Sequence, residues 1–118
     1  MMGYNIGMAK STTVAIMGCG PGGAYLYALF LHKKPELEVI TFDITYHTAC
    51  GIKGCVWGAS WPQFAKLSRE VNIDPEKYVL GRYDHVLINQ MKLRADVVII
   101  DRPLLIRDLF GGASPLRT

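Results

Sequence analysis

Residues Val14–Phe30 have the sequence VAIMGCGPGGAYLYALF, in which four glycines and one proline separate two apolar segments. Before the glycines, Thr13–Met17 is short and rich in β-branched residues, which predicts a strand buried on both faces of a parallel sheet. After them, Ala24–Lys34 lacks β-branched residues and predicts a helix that is apolar on nearly every side. Glu38–Phe42 predicts a second strand, closed by Asp43. This order of strand, glycine turn, helix and strand is that of one βαβ unit.

The glycines fit the pattern G-x-G-x-x-G, which occurs where a strand turns into a helix that binds a dinucleotide. In that pattern Gly18 makes the tight turn, Gly20 leaves room for a pyrophosphate beside the backbone, and Gly23 lets the helix pack closely on the strand. The helix start presents free N–H groups and the positive end of its dipole to the phosphates. The predicted phosphate-binding residues of this Rossmann-type unit are Gly18, Gly20, Pro21, Gly22 and Gly23.

Asp43 follows Gly23 by about 20 residues, where dinucleotide-binding proteins place an acid that accepts hydrogen bonds from the adenosine ribose. No arginine close to it in the sequence replaces this acid for a 2′-phosphate, so a dinucleotide other than NADP is expected. The alternative is a turn whose glycines only cap a helix and bind no ligand.

The composition indicates a single globular domain spanning residues 1–118. Half of the residues are apolar and 19% are charged, which excludes a disordered chain. The net charge of +3 is small and no basic block is interleaved with aromatic residues, so nucleic acid is not an expected partner. Three cysteines, an odd number, argue against a secreted disulfide framework and for a cytoplasmic protein.

Membrane insertion is not expected from this sequence. The amino terminus lacks the charged region and long apolar run of a signal peptide. The longest apolar run, Ala24–Leu31, is far shorter than the roughly 20 residues that span a bilayer. Peripheral attachment to a membrane surface stays open as an alternative.

The middle of the chain is predicted to hold a long loop and two helices. Ile44–Gly58 is irregular, and a capping box at Ser60 and Gln63 opens the helix that follows it. Asp74 and Pro75 then predict the start of a further short helix, which Gly81 ends.

The last third is predicted to hold two strands and a helix. The strands are His85–Ile88 and Ala95–Ile100, joined by a hairpin that is only modestly favoured over a short helix. His85 lies in such a strand and is expected to be structural. Pro103 opens the final helix, with Leu105 and Leu109 on its inner face, and Gly111 and Gly112 end it.

Each of the three cysteines has several possible roles, because a thiol can be redox-active, can ligate a metal or can simply pack in the core. Cys50 and Cys55, with His47 nearby, allow a reversible disulfide, part of a zinc site, or two unreactive thiols beside a pocket. A fourth zinc ligand is not evident, so no metal is expected. Cys19 lies inside the glycine turn and is expected to be a packing residue rather than a nucleophile.

The sequence resembles the archaeal geranylgeranyl reductase family, within the hydroxybenzoate-hydroxylase-like flavoproteins. The residues that carry this resemblance are the glycine turn, Cys50-Gly51, the Cys-Val-Trp-Gly run at Cys55–Gly58, and Ile100-Asp101-Arg102-Pro103 followed by Leu105, Arg107 and Leu109. The sequence departs from the family pattern at Tyr27 and Asp43, where a small residue and a glutamate are usual. The match covers only the amino-terminal part of such an enzyme.

The resemblance implies an incomplete FAD-binding domain with a small, mainly parallel sheet. In these enzymes the glycine turn and the acid hold the ADP half of FAD, and reduced flavin delivers hydride to an isoprenoid double bond. By resemblance, Arg102 contacts a phosphate or the flavin edge; the alternative is a solvated arginine. The candidate residues of an isoprenoid lipid pocket are Cys50, Gly51, Cys55 and Trp57, although Trp57 and Trp61 are more simply explained as core.

The second flavin motif, Gly-Asp-Ala, is absent from this sequence. The alternative function is therefore a freestanding NAD- or FAD-binding module without catalysis of its own, acting as a subunit or sensor.

The chain is also expected to self-associate, because apolar helix and strand surfaces that lack partner elements are exposed.

Overall fold

The computed structural model of the protein describes residues 12–43, 56–111 and 116–117. These residues form six strands, three α-helices and one short 3-10 helix. In chain order the elements are β1 (Thr13–Met17), α1 (Pro21–Lys33), β2 (Glu38–Asp43), β3 (Val56–Ser60), α2 (Trp61–Glu70), the 3-10 helix (Pro75–Tyr78), β4 (Val79–Ile88), β5 (Met91–Asp101), α3 (Arg102–Leu109) and β6 (Leu116–Arg117).

The predicted βαβ unit is present. Strands β1 and β2 pair in parallel, from Thr13 opposite Glu38 to Met17 opposite Phe42, and α1 connects them. Two parallel neighbours need such a crossover because the chain must return to the same end of the sheet. β6 pairs in parallel with the other side of β2, which gives the order β1-β2-β6.

The prediction that β1 is buried on both faces is wrong. Ile16 is buried, whereas Met17 at the end of the strand is exposed. Side chains alternate between the faces of a strand, and Ile16 is on the face that α1 covers, where its Cγ2 lies 3.4 Å from the position of a Cβ at Gly23. The opposite face of β1 is left largely uncovered, because its residues Thr13, Ala15 and Met17 are all exposed.

The expectation of one mainly parallel sheet is corrected by a second, antiparallel sheet with the order β3-β5-β4. Val56, Trp57 and Gly58, expected to end a long loop, belong to β3 and pair with β5. The two strands predicted in the last third do form a hairpin, longer than expected. Its turn is only Asn89 and Gln90, both at positive φ, as a two-residue hairpin turn requires.

Several predicted helix boundaries also shift. Helix α1 begins at Pro21 rather than Ala24, because proline suits the first position of a helix, where its missing N–H has no intrahelical role. Ser60 is the N-cap residue of α2, but its side chain forms no capping hydrogen bond. Asp74 does cap the 3-10 helix by accepting a hydrogen bond from the Glu76 N–H at 3.1 Å. That helix ends at Tyr78, and Gly81 lies within β4.

The core lies between the three α-helices and the inner face of β5. Its buried residues come from separate segments: Cys19, Ala24, Ala28, Phe64, Val71, Tyr78, Val98, Ile100, Leu105, Ile106, Leu109 and Phe110. Tyr27, where the resembled family has a small residue, places its ring 5.2 Å from that of Phe110. Leu105 and Leu109 face inward as predicted. Among the helices described here, none is both long and apolar enough to cross a membrane.

Candidate dinucleotide-binding site

The glycine turn leaves β1 through a conformation that favours glycine. Gly18 has φ of +98°, in the left-handed region where a Cβ is strained. Its N–H donates to the Phe42 carbonyl oxygen at 2.8 Å, which ties the turn to the end of β2. The chain is thereby directed from the edge of the parallel sheet into α1.

The start of α1 has the features of an anion-binding helix terminus. Gly20 is the N-cap residue, and its carbonyl oxygen accepts the first helical hydrogen bond from the Ala24 N–H at 2.9 Å. No side chain caps this end and no acidic residue lies in the first turn of α1. Pro21 carries no N–H, so Gly22 and Gly23 supply the backbone donors of that turn. A phosphate group suits this end of the helix dipole.

The surroundings of each glycine distinguish their roles. A Cβ at Gly23 would overlap the Gly18 carbonyl oxygen, so the close approach of α1 to the strand end requires glycine. A Cβ at Gly20 would meet nothing closer than an Arg102 guanidinium nitrogen at 4.0 Å, and one at Gly22 would meet nothing within 4 Å. Space therefore lies open in front of Gly20, where the pattern places a pyrophosphate.

Arg102 stands at this open space. It is the first residue of α3, and its guanidinium Nη2 is the nearest group to the Gly20 position. The Nε of Arg102 is buried and has no hydrogen-bond partner. The carboxylate of its neighbour Asp101 caps α3 instead, by accepting a hydrogen bond from the Leu104 N–H at 3.2 Å. A buried guanidinium donor without a partner, in an arginine that reaches the open space at Gly20, fits an anionic ligand.

Asp43 is the last residue of β2 and is half-buried. The hydrogen bond from Gly18 to Phe42 places this strand end directly beside the glycine turn. The fold therefore brings the predicted ribose acid to the same edge as the predicted phosphate site. Its register partner on β6 is Arg117, an arginine that is distant in sequence and adjacent in the sheet.

Cys19 is buried, and its thiol donates to the Phe42 carbonyl oxygen at 3.3 Å. This contact and the low exposure of the side chain agree with a packing role at the turn.

An apolar cavity of about 230 Å³ begins at the first turn of α1. Its lining residues come from the three α-helices, β3 and the connection after α2: Pro21, Gly22, Tyr25, Trp57, Phe64, Leu67, Ser68, Ile73, Leu105 and Leu109. Tyr25 closes one side by donating its hydroxyl hydrogen to the Leu67 carbonyl oxygen at 2.9 Å. The cavity and the open space at Gly20 therefore both lie at the start of α1.

The two tryptophans differ in position. Trp57 is exposed and lines the cavity, as a pocket residue would. Trp61 packs against the core, with its ring 6.5 Å from Phe64 and the Arg82 guanidinium 4.6 Å above it. Core packing therefore explains Trp61, and the pocket assignment rests on Trp57.

Four predicted chemical residues, His47, Cys50, Gly51 and Cys55, lie outside the described residues. His85 is within them and contacts the Asp84 carboxylate through Nδ1 at 2.9 Å. Within residues 12–43, 56–111 and 116–117, no group of three potential metal ligands occurs.

The described residues form an α/β protein with a small parallel sheet and a glycine-rich turn at the start of α1. No family model and no curated protein matches this chain. Among solved structures, it is similar to a protein assigned as an FAD-containing monooxygenase from Photorhabdus luminescens subsp. laumondii TTO1. The identity is 18% and the TM-score 0.50, with 92% of this chain and 30% of that chain covered. The likeness is one of fold, and the chain spans less than a third of that protein's length.

Sequence reasoning missed most of the cavity. Tyr25, Phe64 and Ile73 were predictable as apolar helix or loop residues, but no local pattern indicated that they share an opening with Pro21 and Gly22.

Proposed function

We propose that this chain is the FAD-binding portion of a flavin-dependent oxidoreductase. The observation that carries the proposal is the guanidinium of Arg102 beside Gly20, with a buried Nε that has no partner. A pyrophosphate at the start of α1 would accept from Arg102 and from the backbone N–H groups of Gly22 and Gly23. The similar fold of a protein assigned as FAD-containing supports FAD as this ligand.

The residues of the chain would then divide the work of holding the cofactor. The glycine turn and Arg102 bind the pyrophosphate, and Asp43 accepts from the adenosine ribose hydroxyls. Reduced FAD, when bound, supplies the hydride for the reduction of a double bond. The protein contributes orientation, charge neutralisation at the phosphates and exclusion of water by the apolar walls around the site.

The finer proposal is reduction of an isoprenoid lipid, as in geranylgeranyl reductases, with the protein acting at a membrane surface. The apolar cavity that begins at Pro21 and Gly22 supports it, because a hydrocarbon ligand gains free energy from burial against such walls. Trp57 would contribute the largest apolar surface to that pocket.

A second candidate is a freestanding NAD- or FAD-binding module without catalysis of its own. The position of Asp43 at the end of β2 supports it equally, because both dinucleotides contain an adenosine ribose. NADP serves as the comparison ligand, because an acid at the position of Asp43 argues against a 2′-phosphate.

Isothermal titration calorimetry with ADP, FAD, NAD and NADP tests these proposals. The cofactor proposal expects weak binding of ADP and FAD and little flavin turnover, because one helix terminus encloses only part of the ligand. Tighter binding of NAD than of FAD would favour the module. The absence of binding by any adenosine-containing ligand would contradict both.

A further inference from the structure

Strand β4 forms one edge of the antiparallel sheet. The order is β3-β5-β4, and no strand among the described residues pairs with the outer side of β4. An edge strand offers a row of N–H and C=O groups to any strand that can approach it. Proteins often protect such edges with lysine, proline or a β-bulge; Val79–Ile88 contains no lysine or proline, and the extra residue of β4 lies near its start, between Val79 and Gly81.

The sequence of β4 has complementary charges next to Tyr83 and aliphatic residues towards both ends. The strand is VLGRYDHVLI, so Arg82 and Asp84 flank the centre with opposite charges. One step further out on each side are Gly81 and His85, and then two aliphatic residues, Leu80 and Val86. An antiparallel pairing of two such strands about a two-fold axis at Tyr83 places Arg82 of each copy opposite Asp84 of the other. Opposite charges in that position stabilise a strand pair.

The side chains needed for this pairing are accessible. The Asp84 side chain is 96% exposed, and Leu80 and Leu87 are 58% and 67% exposed. Tyr83 is also exposed, and its hydroxyl would lie 2.9 Å from a Cβ at Gly81. Its ring therefore covers the glycine backbone instead of projecting across the edge.

Arg82 is held in place before any partner arrives. Its Nε and Nη2 donate to the Asp96 carboxylate at 2.9 and 2.8 Å, and its guanidinium lies over the Trp61 ring. The side chain is still about half exposed. An ordered guanidinium loses little conformational entropy when a second carboxylate binds it.

We propose that β4 is an interface between two copies of this chain, paired antiparallel across a two-fold axis at Tyr83. Two irregularities interrupt the pairing of β4 with β5: the extra residue lies in β4 between Val79 and Gly81, and in β5 opposite the step from Tyr83 to His85. Because only the first of them inserts a residue into β4 itself, the ladder between two copies is limited to the central residues of β4, from Gly81 to His85. Such an interface is small, so a weak dimer in the micromolar range is expected. Because the two-fold axis pairs each edge with itself, association stops at two copies.

Sedimentation velocity of the full chain, over about 1–300 µM, tests the proposal. The wild type should pass from monomer to dimer. Asp84→Arg should raise the dimer dissociation constant about tenfold or more, because the introduced guanidinium faces Arg82 of the second copy. Asp84→Glu keeps the charge and should dimerise. Glu36→Arg makes the same charge change in the exposed connection between α1 and β2 and should dimerise like the wild type.

Leu80→Glu provides an independent variant. It places a carboxylate at an exposed aliphatic position immediately beside the Gly81–His85 ladder and should also weaken the dimer. Circular dichroism of each variant checks that the fold is kept. A wild type that is monomeric throughout would overturn the proposal, as would a dimer that Asp84→Arg and Leu80→Glu leave unchanged. Concentration-dependent growth beyond two copies would also overturn it.

Discussion

Replacing Gly20 by valine should separate ligand binding from folding. Gly20 has φ of −73° and ψ of −167°, an extended conformation that valine adopts readily. The first atom that a Cβ approaches is the Arg102 nitrogen at 4.0 Å, so the added Cβ causes no overlap in the free chain. We expect the free energy of unfolding to change by no more than about 1 kcal/mol.

The same valine should remove most of the phosphate affinity. Its methyl groups would occupy the space between the backbone and Arg102, which keeps a pyrophosphate away from the helix start. Loss of one or two charge-assisted hydrogen bonds costs about 2–3 kcal/mol. That loss corresponds to an increase in the dissociation constant for ADP of about 30- to 140-fold.

Two matched variants make this prediction sharp. Gly22→Ala adds a Cβ with nothing within 4 Å, so binding of ADP should persist and the helix should gain about 0.4–1 kcal/mol in stability. Gly23→Ala forces a Cβ onto the Gly18 carbonyl oxygen and should destabilise the fold by about 1–3 kcal/mol. Calorimetry with ADP and urea unfolding measure both quantities. If Gly20→Val binds ADP as tightly as the wild type, the phosphate site is not at this turn.

Three other predictions concern single side chains. Arg102→Met should weaken ADP binding by about 10- to 150-fold in calorimetry. The free chain should stay at least as stable, because the substitution removes a buried donor that has no partner. Unchanged affinity for ADP would contradict the contact between Arg102 and the phosphates. Trp57→Ala should reduce binding of a hydrophobic fluorescent dye without affecting ADP, whereas Met17→Ala, an exposed residue outside the cavity, should affect neither. Burial raises the pKa of Asp108, but hydrogen bonds from Lys77, Tyr78 and Arg107 outweigh it and hold that pKa below its ordinary value. A carboxylate with a lowered pKa stabilises the fold above the ordinary aspartate range and loses that effect as the pH falls through its folded pKa. Asp108→Asn should therefore cost about 1–2 kcal/mol at pH 7 and progressively less at acidic pH in urea unfolding, and an equal cost at both pH values would contradict the assignment.

Local patterns were sufficient for the elements whose determinants lie close together in the chain. The glycine spacing predicted the turn after β1 and the helix that follows, and Asp74 predicted the cap that it forms. The apolar run at Ala95–Ile100 identified β5. For the turn and the cap, the deciding interaction is steric or is a hydrogen bond between residues a few positions apart. For β5, the run of β-branched residues is itself the signal.

Boundaries were less predictable where pairing rather than composition decides them. Val56 and Trp57 join a strand because β5 supplies their ladder partners, which no local pattern at Cys55–Gly58 indicated. The exposure of Met17 has the same origin, since a β-branched strand segment looks alike whether one or both of its faces are covered.

The candidate site itself depended on the tertiary structure. Arg102 is separated from Gly20 by more than 80 residues, and only the packing of α3 against α1 brings its guanidinium to the open space at Gly20. The cavity likewise joins side chains from five separate segments, and the charge symmetry of β4 matters only because that strand is an edge. The sequence alone determined the glycine turn between β1 and α1. The residues that surround this turn were determined by long-range packing. Burial of apolar surface is favourable whatever the distance along the chain between the residues in contact.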